Sequence, residues 1–161
     1  MSGDPNILEP DWEEGTPPGL KGQRVGLAAG ATELGATVYE LDPGHAVSPY
    51  HLHHANEELL VVLSGRVLLR TPEGDRALEP GAVVAFPRGP DGAHRVAAGP
   101  DEGARVLLIS TMNLPEIAEH VSTGTLLTMT APGEGKAFGA GSDRPFMELY
   151  LEAMERDAST S

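Results

Sequence analysis

The 161-residue sequence contains no cysteine. Disulfides, thiolate zinc sites and a cysteine nucleophile are therefore excluded. Aromatic residues are also scarce, because three Phe, three Tyr and one Trp make up only 4% of the chain. An apolar core must consequently be built from Val, Leu, Ile and Ala.

Basic residues are few as well: 11 Lys and Arg stand against 24 Asp and Glu, which gives a net charge of −13. Binding to nucleic acid or to an anionic membrane needs a basic patch, and the sequence has no Lys/Arg cluster. No apolar run approaches the roughly 18 residues of a membrane span. The N-terminus has neither the basic start nor the apolar core of a secretory signal. We therefore expect a soluble cytoplasmic protein that binds neither nucleic acids nor membranes.

The length and composition are typical of one globular domain with flanking segments. Residues 1–22 combine four prolines with acidic side chains and predict an extended N-terminal arm. Trp12 in this arm is expected to pack on its own domain or on a neighbouring subunit. The main domain is predicted over 23–130, a Gly-rich linker over 131–142, and a C-terminal helix and tail over 143–161.

The main domain consists of short β-type runs separated by Gly, Pro, Asp and Ser. Many short strands at nearly regular spacing indicate an all-β sandwich or barrel, and no helical period of 10–15 residues separates them. The predicted strands are 25–28, 36–42, 49–53, 58–63, 66–71, 76–79, 82–86, 94–97, 105–111 and 126–130.

Two short helices are expected near the C-terminus. Asn113, Pro115 and Glu116 have the spacing of a helix start, and this helix would run to about His120. A second helix follows Asp143 and Pro145, because apolar residues then recur at helical spacing. These residues, which we expect to dock on the barrel or on a partner, are Phe146, Leu149, Tyr150, Ala153 and Met154.

Three histidines and one glutamate form the most informative pattern. His51 and His53 are two residues apart, so on a strand they point to the same face. Glu58 begins the next predicted strand, and His94 follows the later Gly81–Gly89 turn region. Three imidazoles and a carboxylate suit a divalent transition metal. A lone His-x-His pair in an edge strand is commonly just solvated, so the prediction depends on all four residues.

The two segments resemble the paired motifs of the cupin superfamily. The first motif, Gly-x₅-His-x-His-x₃₋₄-Glu-x₆-Gly, matches His51, His53, Glu58 and Gly65, with Gly44 one residue further away. The second, Gly-x₅-Pro-x-Gly-x₂-His-x₃-Asn, matches Gly81, Pro87 and Gly89. His94 lies two residues later than the second pattern asks, and Ala98 replaces its final Asn. The chain is similar to single-domain bacterial cupins, a resemblance that specifies no reaction.

This resemblance implies a single-domain jelly-roll β-barrel over roughly 25–130. It also implies that His51, His53, Glu58 and His94 are the metal ligands. Glu57 competes with Glu58, but only Glu58 keeps the six-residue distance to Gly65. Cupins commonly dimerise through their N-terminal strands, so we expect a homodimer.

The four ligands imply one divalent ion (Fe, Mn, Ni, Co or Zn) and a small-molecule substrate or ligand. A metal-dependent oxygenase or isomerase is the first hypothesis. The alternatives are a non-catalytic module that binds a small ligand and a protein that mainly assembles. Candidate supporting residues near the site are Tyr50, Glu57 and Arg88, with Tyr39 and Arg66 as further options. His45 and His54 are interpreted as surface or loop residues, and His120 as the end of the first helix.

Overall fold

The computed structural model describes residues 4–131, 134–139, 141 and 144–159. The chain forms mainly β-strands with two helices and one 3₁₀ turn. In chain order the elements are β1 (Leu20–Gln23), α1 (Val25–Ala28), β2 (Leu34–Leu41), β3 (His51–His53), β4 (Glu58–Gly65), β5 (Val67–Thr71), β6 (Gly74–Leu78), β7 (Val83–Phe86), the 3₁₀ turn Pro90–Gly92, β8 (Arg95–Ala98), β9 (Ala104–Thr111), β10 (Glu116–His120), β11 (Thr125–Ala131), β12 (Glu134–Phe138) and α2 (Phe146–Ser159).

The strands form three antiparallel sheets. One sheet has the order β1-β2-β9-β4-β7, the second β12-β11-β10-β3 and the third β6-β5-β8. Across the described residues the sheets do not close into one hydrogen-bonded barrel, but the arrangement is consistent with a jelly roll. The all-β prediction is therefore confirmed, while the closed barrel is replaced by separate sheets.

The apolar core lies between the five-stranded and three-stranded sheets. Leu60 and Val62 of β4 and Val106 of β9 pack there with Val67 and Leu69 of β5, and all five side chains are almost fully buried. The four-stranded sheet contains β3, which carries His51 and His53 of the candidate site. Phe86 of β7 belongs to the same core and stacks on His94, so the apolar core adjoins the candidate site.

Two local predictions in the main domain are wrong. The run Val25–Ala28 forms the short helix α1 instead of a strand, with Ala28 donating to the carbonyl of Arg24. A four-residue apolar run does not distinguish the two structures by periodicity. Residues 116–120 form strand β10 instead of a helix, because they pair with β3 on one side and β11 on the other. Tertiary pairing here overrides a local helix-start signal.

The predicted Gly-rich linker also contains regular structure. Glu134–Phe138 forms β12, which pairs with β11 as the edge strand of its sheet. Gly135 permits this pairing, since a Cβ there would lie 2.4 Å from the carbonyl oxygen of Thr128. Residues 132, 133, 140, 142 and 143 lie outside the described part of the chain.

The C-terminal helix is present as α2, but its described apolar side chains are exposed on this chain. Met147, Leu149, Tyr150, Leu151 and Met154 are 43–57% exposed. The predicted docking of this stripe on the barrel is therefore not seen.

The N-terminal arm lies along β1 and contacts its own domain. Glu13 donates its backbone N–H to Gly22, and the Arg105 guanidinium lies 5.5 Å from the centre of the Trp12 ring. Arg105 also donates to the carbonyl of Leu8 at 2.8 Å. Of the two packing sites expected for Trp12, the structure shows the one on its own domain.

No helix in the described residues has the length and hydropathy needed to span a membrane.

Candidate metal centre

Strand β3 places two imidazoles on one face. His51 pairs with His120 and His53 with Ala118 of the neighbouring β10. Side chains alternate along a strand, so Leu52 points to the opposite side, where it is 5% exposed. The side chains of His51 and His53 consequently extend together into the space between the two larger sheets.

Strand β4 directs Glu58 to the same place. Glu58 shares the period-two face of Leu60 and Val62, which belong to the apolar core. Its side chain is 13% exposed. Glu57 is exposed and lies outside the strand. The alternation of β4 therefore favours Glu58 over Glu57 as the inward carboxylate.

His94 reaches the site through an isolated bridge to β3. The backbone N–H of His94 donates to the carbonyl of His51 at 2.8 Å, and the reverse hydrogen bond measures 3.1 Å. The imidazole is 1% exposed and stacks on Phe86 with ring centres 3.7 Å apart. The turn Pro90–Gly92 absorbs the two additional residues before His94. His94 is thus beside His51 despite its late position in the motif.

The side-chain donors converge at short distances. His51 Nε2 lies 3.1 Å from His53 Nε2, which is 3.4 Å from Glu58 Oε2. His94 Nε2 lies 3.2 Å from the same Glu58 oxygen. Adjacent donors bonded to one ion at about 2.1 Å are separated by roughly 3.0 Å in an octahedral site and 3.4 Å in a tetrahedral one. The ligand atoms of His51, His53 and Glu58 all lie within 4.8 Å of one another and could hold a metal ion.

Backbone carbonyls select the tautomers of two of these histidines. His51 Nδ1 lies 2.9 Å from the carbonyl oxygen of Pro49, and His94 Nδ1 lies 2.9 Å from that of Gly92. A carbonyl only accepts, so each Nδ1 must carry the hydrogen and each neutral ring has a bare Nε2. These lone pairs face His53 and the Glu58 carboxylate, and such proximity requires a proton or a cation between them. The donor set therefore fits a metal cation.

The pKa values of His51, His53 and Glu58 are shifted because these side chains lie close together and are largely shielded from water. Burial, with the neighbouring His94 and His53, lowers the pKa of His51 to about 4, so this ring is neutral near pH 7. Burial alone would lower the pKa of His53, but Glu58 and Glu116 outweigh it and raise that pKa. Burial likewise opposes ionisation of Glu58, yet contacts with His53 and His94 lower its pKa. A metal that binds His53 would therefore compete with a proton for this ring.

Glu116 also belongs to this site, although its sequence context does not predict it. Its carboxylate is 1% exposed and lies 3.5 Å from His53 Nδ1. It accepts a hydrogen bond from the backbone N–H of His54 at 3.1 Å and another from the side chain of buried Asn56. Glu116 was interpreted as a helix-capping residue, and only the pairing of β10 with β3 brings it to His53. The sequence carried no local signal for this contact.

The predicted supporting residues lie elsewhere. The guanidinium of Arg70 lies over the Tyr50 ring, 4.7 Å from its centre. Glu57 and Arg88 are exposed. A pocket lies beside the converging donors, and none of these three residues is among the described residues that line it. Exposed Arg66 does not line it either. Tyr39 does line it, and burial raises the pKa of its phenol.

The other three histidines remain outside the converging set. His45 and His54 are exposed, as expected for surface or loop positions. His120 ends strand β10 instead of a helix, and its ring centre lies 6.2 Å from that of His51.

A pocket of about 680 Å³ opens above the converging donors. It lies between the five-stranded and four-stranded sheets, and α1 contributes to its rim. His51, His53 and Glu58 are among its lining residues, with Glu116 beside them. Typical small-molecule sites occupy roughly 300–1,000 Å³. The pocket can therefore admit a small organic molecule to the candidate metal centre.

Comparison with known proteins agrees with this architecture. Residues 37–110 match the family model described as a cupin domain. A sugar phosphate isomerase of the cupin superfamily from Silicibacter pomeroyi is 25% identical, with a TM-score of 0.71 over 80% of this chain and 82% of that chain. A putative sugar phosphate isomerase from Acidithiobacillus ferrooxidans is also 25% identical, with a TM-score of 0.70 over 79% and 80% of the two chains.

A polyketide cyclase from Streptomyces resistomycificus, 24% identical, shares the fold with a TM-score of 0.57 over 72% of this chain and 84% of that one. Among curated proteins no match is found. The family model and the structural neighbours confirm the resemblance predicted from the two histidine motifs. Residues 37–110 of this chain therefore resemble a cupin domain, and its neighbours among solved structures include a protein of the cupin superfamily.

Proposed function

We propose that the protein is a metal-dependent enzyme that acts on a small organic molecule. His51, His53, Glu58 and His94 hold one divalent transition ion at the inner end of the pocket. The observation that carries this proposal is the convergence of three imidazole Nε2 atoms and the Glu58 carboxylate, in which neighbouring donor atoms lie 3.1–3.4 Å apart. Fe, Mn, Ni, Co and Zn all suit such a ligand set.

The bound ion would supply either Lewis-acid activation of a substrate oxygen or, if redox-active, a site for O₂ chemistry. The chain orients the ligands for this purpose. Pro49 and Gly92 carbonyls fix His51 and His94, while Glu116 faces the outer nitrogen of His53. Phe86 covers the ring of His94 and shields that side of the site from water.

Two reaction classes have separate support. The sugar phosphate isomerase from Silicibacter pomeroyi favours an isomerase. An isomerase that moves a proton between carbons needs a base, however, and both carboxylates that line the pocket already have partners: Glu58 faces histidines and Glu116 binds Asn56 and His54. Partial burial raises the pKa of the Tyr39 phenol, which therefore keeps its proton near pH 7. This shortage of free bases weakens the case for an isomerase, and an oxygenase, whose O₂ chemistry the ion itself would supply, is the preferred class.

The same shortage supports the second candidate, a non-catalytic cupin that binds a small ligand. In that role the pocket and the metal would recognise the ligand without converting it. Both candidates must bind the ligand, but only the enzyme converts it.

Turnover assays of the metal-loaded protein test the proposal. Oxygen consumption with an Fe(II)-loaded sample reports an oxygenase on a panel of diketones, phenols and small acids. Solvent deuterium incorporation beside the carbonyl, followed by NMR with Mn(II), Ni(II) or Zn(II), reports an isomerase. Activity that is lost in His51→Ala supports the enzyme. Ligand binding without either signal supports the binding module, and absence of both binding and turnover contradicts the proposal.

A further inference from the structure

The walls of the pocket are apolar. Val47 and Leu108 are partly buried inside it and pack against the main core. Its opening is surrounded by exposed apolar side chains, which we call the apolar mouth: Leu27, Leu34, Met112, Leu114 and Met129. Their exposed fractions run from 36% to 63%. Single exposed apolar residues are ordinary, but a contiguous group around one opening is typical of a ligand site.

The pocket has little positive charge. Among its described lining residues, Arg24 is the one Lys or Arg side chain. Arg24 is 64% exposed, and its Nε donates to Glu13 at 2.9 Å. The buried carboxylates of Glu58 and Glu116 lie on the inner side, and the whole chain carries a charge of −13. A phosphate group located away from the proposed metal would therefore find one cationic side chain in the described lining, Arg24, which is already paired and lies at the rim.

Several polar side chains in the pocket already have partners within the chain. Ser110 donates to the carbonyl of Thr111 at 2.8 Å, and Ser48 lies 3.0 Å from His51 Nδ1. Asn56 bonds to Glu116 and accepts from the backbone N–H of Asn113 at 2.7 Å. A polyhydroxylated ligand would bury hydroxyl groups that have few free partners, which is costly.

We propose that the ligand of this pocket is a mainly apolar molecule with a single oxygen-bearing head group, and that phosphorylated sugars are excluded. The head lies at His51, His53 and Glu58, and the apolar body extends between Val47 and Leu108 to the apolar mouth. The inference rests on the proposed function only for the binding of the head to a metal. The preference for an apolar body follows from the pocket walls alone.

A homologous series of straight-chain carboxylates, from acetate to octanoate, tests this proposal by isothermal titration calorimetry. Affinity should rise roughly fourfold for each methylene group buried, until the chain fills the pocket. Fructose 6-phosphate should bind at least tenfold more weakly than octanoate. Equal affinities along the series, or tighter binding of fructose 6-phosphate than of octanoate, would overturn the proposal.

Repeating the titrations with chelator-treated and metal-loaded protein separates the two claims. A metal at the head should strengthen all carboxylates by the same factor and leave the increment per methylene unchanged. A persistent increment without a metal effect supports the apolar pocket and refutes the metal-bound head. A metal effect without the increment supports the proposed metal site and refutes the apolar specificity.

A substitution at the apolar mouth, compared with a matched control, tests whether the gain in affinity per methylene group arises in this pocket. Met112→Gln keeps the side-chain length but removes apolar surface at the mouth, and it should weaken octanoate several-fold more than butyrate. Leu68→Gln changes a side chain of similar exposure, 40%, on β5 outside the pocket, and it should leave both affinities unchanged. Equal effects of the two substitutions would place the binding of octanoate elsewhere.

Discussion

At the scale of single residues, metal binding depends on which nitrogen of each imidazole carries the hydrogen. The carbonyls of Pro49 and Gly92 hold Nδ1–H on His51 and His94 and leave Nε2 free. Outer hydrogen bonds of this kind raise the basicity of metal-ligating histidines and keep their rings in place. The groups that orient His51 and His94 are therefore backbone carbonyls only two residues away in the chain.

Glu58 and Glu57 provide a matched test of the inward carboxylate. Glu58→Ala removes a donor that lies 3.2–3.4 Å from two imidazoles, whereas Glu57→Ala removes an exposed side chain. We expect Glu58→Ala to lower metal affinity by at least 100-fold and Glu57→Ala by less than twofold, measured by competition with a chelating indicator. Equal losses would contradict the register of β4.

Glu116→Gln tests whether the buried carboxylate positions His53. Glutamine keeps the size and can still accept from His54, but it loses the negative charge beside His53 Nδ1. We expect metal affinity to fall about 10–100-fold, as is common when such outer partners are changed. Glu119→Gln, near His54 at 3.6 Å on the exposed side of β10, is the control and should have no effect. Unchanged affinity in Glu116→Gln would limit Glu116 to a structural role.

At the scale of elements, the turn Pro90–Gly92 explains how a displaced histidine still reaches the site. Gly89 has a φ of +82°, and a Cβ on Gly92 would lie 1.7 Å from the carbonyl oxygen of Pro87. The backbone can make this turn only because position 92 has no side chain. Gly92 also supplies the carbonyl that orients His94, so one turn determines both the place and the tautomer of this proposed ligand.

Gly92→Ala should therefore disturb both stability and metal binding. We expect the free energy of unfolding to fall by roughly 1–3 kcal/mol, the range of most disruptive single substitutions. Metal affinity should fall with it, because His94 moves with the turn. Gly99→Ala is the matched control, since Gly99 is also buried but its added Cβ would sit at an ordinary 3.6 Å from Arg66. Denaturant unfolding and metal titration of both variants check this, and a stable Gly92→Ala with full affinity would be inconsistent with it.

The elements also show how far the sequence could predict this protein. The strands and the His51, His53 and Glu58 set follow from period-two alternation and turn residues, which act over a few neighbours. Glu116 and Asn56 could not be predicted in the same way, because their contact joins positions 60 residues apart through the pairing of β3 with β10. The helix predicted from the Asn113–Glu116 start to about His120 is wrong for the same reason, because residues 116–120 pair with strands on both sides.

At the scale of the whole molecule, the apolar core and the candidate site adjoin each other, because Phe86 of the core stacks on His94. The five-stranded sheet contributes to both, since β4 carries Glu58 at one end and Val62 in the core. The core can therefore keep β4 rigid while the pocket stays open to solvent. The homodimer expected from the sequence remains a prediction, which the mass of the protein in solution by light scattering tests.

Arg105 connects the N-terminal arm to this framework. It bonds to Leu8 and Glu40 and lies over Trp12, the one Trp of the sequence. Arg105→Ala should lower the free energy of unfolding by about 1 kcal/mol and shift the Trp12 fluorescence to longer wavelength as water reaches the indole. Arg76→Ala, on the exposed strand β6, should change neither. An unshifted spectrum in Arg105→Ala would show that the arm docks by other contacts.

The metal content of the purified protein tests the central claim most directly. Elemental analysis of wild-type protein, as isolated or after reconstitution and desalting, should find close to one equivalent of a divalent transition metal per chain. His51→Ala, which removes a donor with a bare Nε2 and a pKa of about 4, should retain almost none. Wild-type protein that retains no metal after reconstitution, or a His51→Ala variant that keeps a full equivalent, would contradict the assignment of this site.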